Sequence, residues 1–249
     1  MHDSERLARA PVLGKTQNRE KIMAKLPALV DAIAEVDGRD RATIDHVARV
    51  IREAGYIPTT KRGSGASEMT AREAANLLLA LKGADAPKDG PLAIDRFRSL
   101  RQEETPHSGV NYEGFSQLPI AIKNVAEART FGEALEALID GAPELSQCLR
   151  QCVFEAYGEP RAPLIFKMVE TGSFAGVEVT LKRYQAEVAL WRNFAGQPET
   201  DFITTFLPDL ERQEAGFYGA GTKDHRVAVG FGFPTLIHIA QTLSPDERR

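Results

Sequence analysis

LPALVDAIAEVDGRDRATIDHVARVIREAGYI, residues 26–57, followed by PTTKRGSGASEMTARE, residues 58–73, is the stretch on which the fold turns. Leu26, Leu29, Val30, Ile33 and Val36 recur at the spacing that lines one face of a helix. Pro27 suits the first turn of that helix, and Asp37-Gly38 ends it. After the short turn Gly38-Arg39-Asp40-Arg41, with Asp40 or Thr43 as N-cap, Ile44, Val47, Ala48, Ile51 and Ala54 define a second helix that Gly55 stops. Two helices across so short a turn form either an antiparallel hairpin or a crossed helix-turn-helix pair. The continuation chooses between them. Tyr56-Ile57 reads as a short strand, Pro58 to Ser67 as a turn-rich tip with Gly63 and Gly65, and Glu68-Met69 as the returning strand. Thr70-Ala71-Arg72-Glu73 then fits a capping box that opens another helix, in which threonine and glutamate satisfy each other's backbone donors. Helix, turn, helix, hairpin, helix is the order of a winged helix-turn-helix, here spanning residues 19–83.

That reading specifies where chemistry belongs. The second helix would lie in the major groove of DNA, so its solvent face must carry side chains that hydrogen-bond bases and phosphates. Arg41, Asp45, His46, Arg49 and Arg52 lie opposite its apolar stripe. Arg41, His46 and Arg49 are the expected base readers, and Thr43 and Arg52 complete the helix's contribution. Arg39 in the turn is a further phosphate contact. The tip residues Thr59, Thr60, Lys61, Arg62 and Ser64, beside small glycines, are expected to meet phosphate or the minor groove. Between Arg49 and Arg72 the bases Arg49, Arg52, Lys61, Arg62 and Arg72 face only two acids, Glu53 and Glu68. Taken singly, a charged helix face is ordinarily just a solvated one, and Asp45 and Glu53 oppose phosphate. It is the sequence order of the features that favours DNA.

The run from Val47 to Ile57, then Lys61-Arg62-Gly63 and Met69-Thr70, resembles the recognition helix and wing of bacterial winged-helix regulators of the multiple-antibiotic-resistance type. Its continuation, Met69 to Leu78, resembles small DNA-binding proteins of alphaproteobacterial prophages and mobile elements. The resemblance covers about residues 26–82 and implies duplex DNA as partner, with a homodimer reading two half-sites.

The remainder reads as mainly helical and then α+β. Residues 1–18 form a polar arm, and a linker rich in proline and glycine follows Gly83. Helices are expected at 91–103, 117–128, from a second capping box at Thr130-Phe131-Gly132-Glu133 to about Asp140, and at 144–157, so residues 84–160 form a helical linker or oligomerisation region. Alternation of Val177, Val179 and Leu181, then of Ala186, Val188 and Leu190, marks a β-hairpin in a C-terminal α+β domain, residues 161–249. Val227, Val229, Phe231 and Phe233 alternate again before a closing helix at 234–243.

A net charge of −4 over 249 residues excludes a coat protein basic along its whole length. No apolar run reaches the roughly 18 residues of a membrane span, and no secretory signal is present, so a cytoplasmic protein without membrane contact is expected. Cys148 and Cys152 lack the histidine neighbours that would complete a zinc site; no metal or cofactor is expected. Gly216-Phe-Tyr-Gly-Ala-Gly-Thr-Lys223 reverses the lysine-hydroxyl order of a phosphate loop, and Gly230-Phe-Gly-Phe-Pro234 lacks a dinucleotide fingerprint. His107, His225 and His238 are scattered. A transcriptional regulator rather than an enzyme follows, with a small terminase-like packaging component or a protein-binding adaptor as alternatives; any small-molecule effector is unspecified.

Overall fold

A computed structural model describes residues 24–59, 67–103, 119–157, 164, 167, 171, 175–182, 184–194, 197–209 and 228–244. The fold class is α+β. Helix α1 (Leu26–Asp37) and helix α2 (Arg41–Glu53) stand on either side of the expected turn, whose Gly38 adopts φ 81°, the left-handed conformation that glycine takes without a Cβ penalty. Asp40 caps α2 by accepting from the Thr43 backbone N–H at 2.8 Å. The α2 stop is a Schellman pair: Gly55 N–H donates to the Arg52 carbonyl and Tyr56 N–H to that of Ile51, at 3.0 and 2.9 Å.

The expected hairpin between Tyr56-Ile57 and Glu68-Met69 does not form. Tyr56 has spent its N–H on the helix stop, and its carbonyl accepts from Asn76 Nδ2 at 2.9 Å. Ile57 turns its side chain into the core, 1% exposed. Glu68 bridges Lys25 ahead of α1 instead, and Met69 N–H donates to the Ala24 carbonyl at 2.8 Å. The wing tip at residues 60–66 and the arm at 1–18 lie outside the described residues.

Helix α3 (Ala71–Gly83) opens with the expected capping box: Glu73 accepts from the Thr70 N–H at 2.9 Å and Thr70 Oγ1 from the Arg72 N–H at 3.2 Å. Helix α4 (Gly90–Arg98) is shorter than the helix expected over 91–103 because Arg101–Gln102 leaves it as strand β1. Helix α5 (Ile120–Glu127) precedes the long helix α6 (Phe131–Tyr157), which begins at the second capping box. The sequence expects two helices here, with Pro143 between them. One forms, because Leu135, Leu138, Ile139, Ala142, Leu145 and Leu149 continue one buried stripe through the proline, and burying them outweighs the lost backbone bond.

Strands β2 (Ala175–Lys182) and β3 (Gln185–Phe194) form the expected hairpin, pairing Val179 with Val188. Strand β4 (Gln197–Leu207) extends it, and β5 (Val229–Gly232) runs directly into helix α7 (Phe233–Leu243). Among the described residues the sheet is antiparallel in the order β1-β4-β3-β2-β5. Its inner face buries Val177, Val179, Leu181, Val188, Leu190, Phe202 and Phe206. Helix α7 returns to pack on α1 and α6, so the buried side chains form one continuous cluster. The divisions expected at 83 and 160 are therefore not gaps in the packing.

Candidate nucleic-acid interface

Amphipathic spacing divides α2 into two faces. Ile44, Val47, Ala48 and Ile51 are buried against α1 and α3, while Arg41, His46 and Arg49 are exposed. The exposed cations are already paired: Arg41 reaches back to Asp31 on α1, and Arg49 Nη2 lies 3.5 Å from Asp45 Oδ2 one turn earlier. The carboxylate of Asp31 raises the pKa of the Arg41 guanidinium. Arg52 is half-buried and Thr59 is exposed.

Two expected DNA contacts are engaged within the protein. Arg39 turns inward: its Nη1 donates to the Leu81 carbonyl at 2.7 Å and its Nε and Nη2 to Asp37, which fastens the inter-helix turn to the end of α3. The Thr43 hydroxyl donates to Asp40 Oδ2 at 2.8 Å. The hydrogen bonds from Thr43 also hold the Asp40 carboxyl below the ordinary aspartate range. Thr60, Lys61, Arg62 and Ser64 lie outside the described residues, as do His107, His225 and the glycine-rich run 216–223.

Two polar clusters that the sequence reading did not single out set the pose of α2. The Asp37 side chain is 1% exposed and holds both Arg39 and Lys82. Burial raises its pKa, but the hydrogen bonds and charges of Arg39 and Lys82 outweigh burial and leave it below the usual value. The second cluster centres on Asn76, 3% exposed, whose Nδ2 donates to the Tyr56 carbonyl while its Oδ1 accepts from Arg98 Nη1 at 3.0 Å. Arg98 also pairs with Glu136, so α3, α4 and α6 together hold the exit from α2. Tyr56 adds a bond from its hydroxyl to Asp95 Oδ1 at 2.5 Å, and that bond, with some burial, pushes the phenol up to about 12. One signal for this cluster was present in the sequence: Asn76 interrupts an otherwise apolar run, Ala74 to Leu81.

The described residues contain no group of metal-binding side chains, and none of their helices is long and apolar enough to cross a membrane. Cys148 donates to Glu144 Oε1 at 3.1 Å; burial first, then that carboxylate, pushes its thiol up to about 12, which removes it as a ready nucleophile near neutral pH. His238 on α7 lies 2.8 Å from Glu35 on α1 and joins those two helices. Comparison with known proteins returns no matching family model, no matching curated protein and no matching solved structure.

Proposed function

We propose that the protein binds duplex DNA through α2 and the cationic segment that follows it, as a transcriptional regulator acting as a homodimer. The observation that carries this reading is the division of α2: one face is fully buried and the other offers Arg41, His46 and Arg49 to solvent. A helix with side chains is about 10–12 Å across, which matches the roughly 12 Å width of the major groove. Exposed ion pairs gain little in water, so phosphate can replace Asp31 and Asp45 as partners of the arginines at small cost. The turn clamp on Asp37 and the Asn76 cluster fix the pose of α2, and a fixed pose lowers the ordering cost of binding. Ile57 and Met69, both buried, anchor the ends of the segment containing Lys61 and Arg62.

One observation favours a second reading. The α2 surface alternates in sign, with Asp45 and Glu53 among its three arginines, and such a surface also suits a protein partner of complementary pattern. Replacing Arg49 and Arg62 together by alanine separates the two. In a mobility-shift titration with host DNA fragments, the double variant is expected to bind at least about tenfold more weakly, a loss of about 1.4 kcal/mol or more, with its circular dichroism unchanged. Equal DNA affinity in variant and parent would reject α2 and its following segment as the DNA-binding surface.

A further inference from the structure

The outer face of the sheet contains a cavity that the DNA-binding reading leaves unused. Alternation sends Val177, Val179, Phe231 and Leu190 inward, so the positions between them define the opposite face. On that face β2 contributes Gly176 and Glu178, β5 contributes Gly230 and Gly232, and β3 contributes Trp191. Gly176 is paired with Trp191, and Gly232 with Glu178. These residues, with Phe233 at the start of α7, line a cavity of about 380 Å³. Ligand pockets occupy roughly 300–1,000 Å³ and combine apolar or aromatic walls with a few placed polar groups.

Each lining group has a distinct capacity. The glycines expose backbone and leave a flat floor: a Cβ at Gly230 would stand in the space above it, 3.4 Å from Glu178 Oε1. Trp191, half-exposed, is the chain's single tryptophan and presents an aromatic wall. Glu178 is exposed, and its carboxylate reaches over Gly230, so an acceptor carrying negative charge borders the floor. A flat floor, an aromatic wall and one carboxylate together suit a planar aromatic molecule with a cationic or hydrogen-bond-donating edge. The ring would lie over the glycines beside Trp191, and its edge would donate to Glu178.

We propose that this cavity is a binding site for a planar aromatic ligand with a cationic edge, a site independent of the DNA-binding face. Emission from Trp191 reports on it directly because no other tryptophan contributes. The full-length protein is titrated with benzamidine, which carries ring and cation; benzoate, which keeps the ring and inverts the charge; and acetamidine, which keeps the cation without the ring. Benzamidine is expected to give a saturable change in Trp191 emission at millimolar or lower concentration, and the other two none. Glu178→Gln removes the charge at an exposed position, and Gly230→Val fills the floor at a strand position with ordinary contact distances. Both variants are expected to fold, by unchanged circular dichroism, and to weaken benzamidine binding by about tenfold or more. Absence of a saturable benzamidine response, an equal response to benzoate or acetamidine, or parental affinity in the two folded variants would overturn the proposal.

Discussion

Asp37 is the residue on which the geometry of the helix-turn-helix rests. Its carboxylate is withdrawn from water and holds Arg39 in the turn and Lys82 at the end of α3, so removing its charge strands two cations around one small site. Breaking a buried pair by deleting one partner costs about 3–5 kcal/mol. Asp37→Asn is therefore expected to lose about 3 kcal/mol at neutral pH in urea unfolding. The pH dependence has a definite sign. A carboxyl whose folded pKa lies below the model value of 3.8 contributes stability that is present above that value and is lost as pH falls through the folded pKa. The gap between parent and variant should hence be fully open above about pH 4 and close progressively below it. A gap independent of pH between 2 and 7 would show that the charge of Asp37 does not act in this way.

Between elements, small residues set how closely helices approach. Gly141 on α6 faces Ala121 on α5, and a Cβ placed on it would lie 2.5 Å from the Ala121 Cβ and 3.1 Å from its Cα. Because the second contact is backbone, α5 itself must move. Overpacking of this kind costs about 1–3 kcal/mol, more than the roughly 1 kcal/mol that alanine gains over glycine inside a helix. Gly141→Ala is expected to destabilise, and adding Ala121→Gly to restore most of the loss; strict additivity of the two in a double-mutant cycle would contradict the contact. The elements also show what a linear sequence makes legible. α1, α2, α3 and both capping boxes follow from local signals, and each forms at the positions that the spacing marks. The hairpin after α2 was not legible, because the Tyr56 carbonyl bonds a side chain twenty residues away. Strand β4 went unread since its inward positions include Thr204 beside Phe202 and Phe206, and only pairing with β3 reveals the alternation. Of the interface, the exposed face of α2 was legible, whereas the inward turn of Arg39 depends on the Leu81 carbonyl, forty-two residues away.

At the scale of the molecule, the last helix joins what the sequence divides. α7 leaves β5 at the floor of the sheet cavity and packs on α1, the helix that precedes the proposed DNA-reading element. The cavity was not visible in the sequence because its lining comes from segments at 176–178, 191 and 230–234, which only the sheet brings together. The acidic net charge of −4 places any DNA affinity in a local cationic surface rather than in the whole protein. Binding through such a surface releases counterions, and its strength falls with salt in proportion to the phosphates neutralised. The most direct test is the anisotropy of labelled duplex DNA titrated with the protein over a series of salt concentrations. The account predicts saturable binding whose logarithmic salt slope corresponds to about three to six phosphates per protomer; a flat salt response, or no binding at low salt, would contradict it.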